Sequence, residues 1–197
     1  RYEHGGKIHA GYKDSYSKVK GPWEKGSEPP KPDAGDWYAG WQYDIDVRNA
    51  KQVLSELDKH YPGATEYEVA GFFWWQGDKD RGKAEWYERY EINLLTLIKA
   101  LRKEFDAPKA KFVCATLGQT SKEEAKGGDK ALLDAMLSIS DFDKYPQLKG
   151  QAATVYTHPL SKGGASNSHY GGNAETYMNV GEAMGKAMAE LLRKRSE

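Results

Sequence analysis

Apolar residues recur at three- and four-residue spacing from Val47 through Ala50, Val53, Leu54 and Leu57 to Tyr61, which predicts an amphipathic helix stopped by Tyr61-Pro62-Gly63. The pattern then changes. Tyr67 to Trp75 is a short apolar run rich in aromatics, as a strand covered on both faces would be. Tyr87, Tyr90, Leu94, Ile98, Leu101 and Phe105 mark a long helix closed by Pro108. Lys111 to Leu117 predicts a second strand, Lys130 to Ser138 a shorter helix, and Ala152 to Thr157 a third strand. A last helix runs from Ala174 toward Arg195, capped by Asn173, with Tyr177, Val180, Met184, Met188 and Leu191 on one face.

Strands alternating with helices at this spacing imply right-handed crossovers onto a parallel sheet, so the fold class is α/β. Three strands are few for an open doubly wound sheet, where about five are usual. Further strands are expected upstream. The segment before the first helix differs in kind, because Pro22, Pro29, Pro30 and Pro32 exclude a long helix or a central strand. Its aromatics, among them Tyr12, Trp23, Trp37 and Trp41, are too many for a disordered tail. The organisation read from the sequence is therefore an irregular aromatic-rich arm, residues 1–43, and the α/β domain, residues 44–197.

Composition narrows the partners. Lys and Arg together number 29 and Asp and Glu together 29, so no net charge argues for nucleic acid or an anionic membrane surface. No apolar run approaches the ~18 residues of a membrane span. A single cysteine, Cys114, excludes an internal disulfide framework and lies in an apolar run that reads as core. The first residue, Arg1, reads as a processing site or a boundary, since neither an initiator methionine nor a signal peptide precedes it.

In such folds chemistry sits at the carboxyl ends of the parallel strands. The first strand ends in Gln76-Gly77-Asp78-Lys79-Asp80-Arg81, an amide donor, a flexible glycine and carboxylates at one strand tip. An ordinary polar turn is one reading; a donor aimed at a developing oxyanion is the other. The third strand leads through His158-Pro159 and a Gly/Ser-rich stretch to His169-Tyr170-Gly171-Gly172-Asn173. A histidine held there is placed to act as a general base, or is merely a satisfied loop residue. His158 and His169 stand eleven positions apart, with no HExxH pattern, so no metal site is read. Phosphate-loop and dinucleotide fingerprints and a GxSxG elbow are also missing.

The segments Val-Ala-Gly-Phe-Phe-Trp-Trp-Gln-Gly-Asp-Lys-Asp from Val69 and Ser-His-Tyr-Gly-Gly-Asn-Ala-Glu-Thr-Tyr from Ser168 together resemble the sialate O-acetylesterase and acetylxylan esterase-like family of SGNH hydrolases. The resemblance implies a three-layer α/β/α, flavodoxin-like fold whose N-terminal part is missing here. It also implies a secreted or periplasmic serine-type carbohydrate O-acetylesterase that needs no metal or other cofactor. Its partners would be an acetylated carbohydrate and the missing N-terminal segment, with no nucleic acid and no membrane. On the matching positions, Gln76 with Gly77 would form the oxyanion hole and His169 would be the catalytic base. The family's nucleophilic serine and second-block glycine have no counterpart, which places them before Arg1 and leaves this chain alone inactive. Many members carry an aspartate three residues before the histidine; here that position is Ser166. Asp78 is then the acid that would orient His169, with Asp80 as the fallback. Trp23, Trp37 and Trp41 would stack on sugar rings or pack the arm. The rival from another class is a non-catalytic carbohydrate-binding or interaction module of the same fold.

Overall fold

A computed structural model of the chain describes residues 2–4, 7–9, 23–27, 41–119, 121–163 and 166–193. They fall into two compact units, Arg1–Tyr67 and Glu68–Glu197.

In the first unit, strands β1 (Tyr2–His4), β2 (Lys7–His9) and β3 (Trp23–Glu24) form a small antiparallel sheet in that order. Tyr2 pairs with His9 and Lys7 with Glu24. Short ladders of this size fit the proline-rich composition, which forbids long ones. The predicted helix is two helices, α1 (Trp41–Ser55) and α2 (Leu57–His60). The break is at Glu56, whose backbone leaves helical geometry at φ −110° and ψ 32°. The expected stop is present: Gly63 takes φ +85° and its amide donates to Asp58 Oδ1 at 2.7 Å. Trp37 lies outside the described residues, as do the side chains of Trp23 and Trp41.

The second unit carries the alternating pattern. Strands β4 (Gly71–Trp74), β5 (Lys111–Ala115) and β6 (Ala152–Val155) make a parallel sheet in the order β4-β5-β6. Register runs Phe72 to Phe112 to Ala152. The central strand is buried along its whole length, as a parallel strand covered on both faces must be. Successive residues serve opposite layers. Phe112 and Cys114 join Phe72, Trp74 and Ala152 in one apolar cluster, with Tyr90, Leu94 and Ile98 from α4 (Tyr90–Glu104) and Leu132 and Met136 from α5 (Gly127–Ser138). Val113 and Ala115 belong to the other, with Val180, Met184, Met188 and Leu191 of α6 (Ala174–Arg193). The unit is thus a helix–sheet–helix sandwich.

One helix and all three strands are shorter than the hydrophobic pattern predicts. The long helix predicted across Tyr87 and Tyr90 is interrupted: a short helix, α3 (Ala84–Tyr87), precedes α4. Each strand ends before the residues that predicted it, which leaves Trp75, Thr116, Leu117 and Thr157 beyond the ladder at its carboxyl edge. Burial of the four apolar side chains of α6 stabilises its docking by about 1.5–3 kcal/mol each if complete. The cap is as predicted, with Thr176 N donating to Asn173 Oδ1 at 2.9 Å, a contact of the kind that contributes about 1 kcal/mol. The single thiol, Cys114, is fully buried, and burial pushes its pKa up to about 12.

Candidate active site

The three strand tips are tied to one another before any catalytic group is added. Thr116 follows β5 and Thr157 follows β6, both fully buried. Thr157 Oγ1 donates to the Thr116 carbonyl at 2.6 Å, and Thr157 N donates to Thr116 Oγ1 at 3.0 Å. The same Thr116 carbonyl accepts from Trp75 Nε1 at 3.1 Å. Buried polar groups satisfied in this way hold the edge in place, because breaking one of these bonds leaves a buried group unpaired.

On that edge, Gln76 and Gly77 leave the tip of β4. Tyr90 reaches up from the start of α4, its buried hydroxyl accepting from Trp74 Nε1 at 3.1 Å and donating to the Gln76 carbonyl at 2.7 Å. Burial raises the Tyr90 phenol well above its usual pKa, so it remains a donor across the working pH range. The Gln76 side chain is exposed but held: Nε2 donates to Asp80 Oδ2 at 2.7 Å. An amide carries two N–H groups, so one donor is left for a ligand. Burial pushes the Asp80 carboxyl above its ordinary pKa, and the amide hydrogen bond offsets part of the rise.

Gly77 is needed as glycine for two independent reasons. Its φ is +141°, and a Cβ there would meet Met136 Cε at 2.7 Å and Leu132 Cδ2 at 2.8 Å. Gly77→Ala is expected to destabilise the unit by about 2 kcal/mol through backbone strain alone. A thermal unfolding midpoint lowered by roughly 4–8 °C would show it; an unchanged midpoint would mean the turn relaxes without cost.

Asp78 lies one residue further on. Its Oδ1 accepts from Arg81 Nε at 2.8 Å, and Arg81 Nη1 reaches Asp129 Oδ1 at 3.2 Å. Gln119 Nε2 donates to the same Asp129 oxygen at 3.3 Å. One guanidinium therefore bridges carboxylates from the β4 tip and from α5. The two acids of the Gln-Gly-Asp-Lys-Asp run have separated roles: Asp80 holds Gln76 and Asp78 holds Arg81.

The loop before α6 comes to this edge through Tyr170. Gly118 N donates to the Tyr170 hydroxyl at 3.1 Å, and the Tyr170 ring stacks on Trp75 with centroids 5.6 Å apart and planes at 25°. The phenol's pKa is raised first by burial, and the Asp78 carboxylate adds to the rise. His169 itself is exposed, and its carbonyl accepts from the Tyr177 hydroxyl at 3.0 Å. His169, Tyr170, Gly171 and Gly172 all lie in the left-handed region, with φ of 51°, 54°, 61° and 68°. Two of the four are not glycine, and each such residue costs roughly 1–2 kcal/mol. Strain of this sort persists only where the surroundings over-determine it.

Sequence reasoning passed over several members of this arrangement. His158 sits on a short 3-10 turn after β6, with Nδ1 2.9 Å from the Gly118 carbonyl. Tyr90, Thr116 and Thr157 fall within the predicted helix and strands, while Arg81 lies in the strand-tip segment and Tyr170 in the His169 loop without a role assigned to either. A threonine at the end of each of two neighbouring strands was the one visible signal. Gln76, Gly77 and Asp78 do leave one strand tip, with Tyr170 bringing the His169 loop to it. The direct pairings found there are Gln76 with Asp80 and Asp78 with Arg81. Among the described residues, no three His, Cys, Asp or Glu side chains gather as a metal would require.

A family model described as carbohydrate esterase, sialic acid-specific acetylesterase, matches residues 21–190. The matched span includes every site residue from Gln76 to His169. Searches of curated proteins and of solved structures gave no match.

Proposed function

The chain belongs to the sialic acid-specific acetylesterase family of carbohydrate esterases and has the α/β fold of SGNH hydrolases, and from that premise we propose that it forms the base and oxyanion half of a serine-type carbohydrate O-acetylesterase. In this reading a serine supplied by a segment upstream of Arg1 attacks the acetyl carbonyl. His169 takes its proton as general base and returns it to the departing sugar oxygen, which leaves as a hydroxyl. Asp78 stabilises the imidazolium, while Gln76 Nε2 and the Gly77 amide receive the charge that develops on the carbonyl oxygen. Atoms balance as in any acyl transfer: the ester C–O bond breaks, an acetyl-serine forms, and water then releases acetate.

The observation that carries this reading is the construction around Gln76. Its backbone is fixed by the buried Tyr90 hydroxyl and its amide is oriented by Asp80, with one N–H left to donate. A preorganised donor is what oxyanion stabilisation requires, because its cost has been met before the reaction begins. The charge balance of 29 basic against 29 acidic residues suits a neutral acetylated sugar better than a polyanion. An acetylated xylan is neutral and an acetylated sialate carries a single carboxylate, so neither is a polyanion, and export to the medium or periplasm belongs to the same reading.

The test compares this 197-residue chain with a polypeptide extended to include the upstream serine. The chain alone should turn over p-nitrophenyl acetate at the background rate, since it holds an ester-binding edge without an activated hydroxyl. The extended polypeptide should hydrolyse acetylated sugars and release acetate. A histidine-dependent rate from the chain alone would overturn the upstream-serine assignment. An inert extended polypeptide that still binds sugar would favour the non-catalytic module.

A further inference from the structure

The segment carrying His169 is unusual in its backbone: four consecutive residues, His169 to Gly172, are left-handed. A turn of that hand is not a conformation the local sequence prefers at His169 or Tyr170. Something outside the turn must hold it. Tyr170 is held by its ring on Trp75, by Gly118 N at its hydroxyl, and by Asn173 N, which donates to its carbonyl at 3.0 Å. His169 is held by a different group. The hydroxyl of Tyr177, one turn into α6, donates to its carbonyl at 3.0 Å. The Tyr177 ring packs edge-on against both Trp75, at 5.6 Å and 60°, and Tyr170, at 6.0 Å and 85°.

Tyr177 is 42% exposed, so its position is not explained by core packing alone. It stands on the face of α6 that its helical spacing with Val180 and Met184 sets toward the sheet. The ring is anchored by two aromatics of the site, and the hydroxyl is spent on the backbone of the histidine. We propose that Tyr177 is a positioning residue for His169: by donating to the His169 carbonyl it keeps that residue left-handed and thereby fixes where the imidazole is presented. The inference rests on His169 being the base of the proposed reaction. It adds a device to that reading, a docked helix that sets the backbone of a catalytic loop.

Tyr177→Phe removes the donor and keeps the ring. In the extended polypeptide it should lower kcat on an acetylated sugar by about 5–10-fold, the population shift expected from one lost hydrogen bond of ordinary strength. KM should stay within about twofold, because a group acting through the base contributes to the transition state and not to ground-state binding. The thermal midpoint should barely move, while amide exchange across residues 169–172 accelerates. A second variant reaches the same turn by another route. Gly172 has φ +68° and open space where a Cβ would go, so Gly172→Ala strains the backbone without a clash and should give the same kcat-selective loss.

Parental kcat and parental exchange in Tyr177→Phe would overturn the proposal, and so would a raised KM with kcat and midpoint both lowered, which marks a merely structural residue. His169→Ala is measured alongside. If it is as active as the parent, the assignment of the base has failed and the positioning role fails with it. If the parent itself has no esterase activity, the functional reading has failed, and the exchange rates alone decide whether Tyr177 holds the turn.

Discussion

His169→Ala, made in a polypeptide that carries the nucleophile, should lower kcat for an acetylated sugar by on the order of 10⁴–10⁶-fold, the loss expected when the base of a serine triad is removed. KM should change little, since an exposed imidazole at the edge contributes more to proton transfer than to binding. The His169 loop is brought to the sheet edge by Tyr170, which stacks on Trp75 and accepts from Gly118 N. Asp78 leaves the neighbouring strand tip, and its charge is felt at the Tyr170 hydroxyl. Asp78→Asn should also impair acylation, because an amide stabilises neither an imidazolium nor the Arg81 guanidinium 2.8 Å away. Should Asp78→Asn keep full activity while Asp80→Asn or a change at Glu175 destroys it, the orienting acid is another residue. Stopped-flow measurement of the acetyl-enzyme burst separates the two outcomes.

Gln76→Ala should lower kcat by about 10²–10³-fold, the usual cost of one oxyanion donor. Substrate binding should be nearly preserved, because the donor meets full negative charge only in the transition state. Asp80 enters the same prediction, since its carboxylate accepts from Gln76 Nε2 at 2.7 Å and so decides which end of the amide faces the substrate. Asp80→Asn retains an acceptor and should be mild. Asp80→Ala frees the amide to rotate and should reproduce part of the Gln76→Ala loss. Steady-state kinetics on one acetylated sugar give kcat and KM for all three. A silent Gln76→Ala would remove the oxyanion assignment from the β4 tip.

Much of the fold was legible because burial imposes period. A strand covered on both faces must be apolar except where a polar group finds a partner, and β5 is apolar from Phe112 to Ala115 while buried Lys111 donates Nζ to the Gly150 carbonyl at 2.7 Å. A helix covering one face must repeat every three or four residues, and the stripe of Val180, Met184, Met188 and Leu191 is the buried side of α6. Caps and stops were equally local, as at Asn173 and Gly63. Helix interruptions were not, because the breaks at Glu56 and between Tyr87 and Tyr90 leave the hydrophobic spacing intact.

By itself, then, the sequence determined the α/β alternation, the two segments where chemistry could sit, and the residue types present in each. Residue types do not state which partner a group has chosen. Two aspartates two positions apart look equivalent along the chain. In space one accepts from Gln76 and is pushed toward protonation by burial, while the other pairs with Arg81. The left-handed turn at His169 was invisible for the same reason. It is held because Tyr170 and Tyr177, from a loop and a helix, meet Trp75 just beyond β4 and offset a backbone cost that the local sequence would avoid. Hydrophobic period is a property of one segment and can be read from it; the partner of a polar group is set by long-range contacts, and those the tertiary structure alone decided.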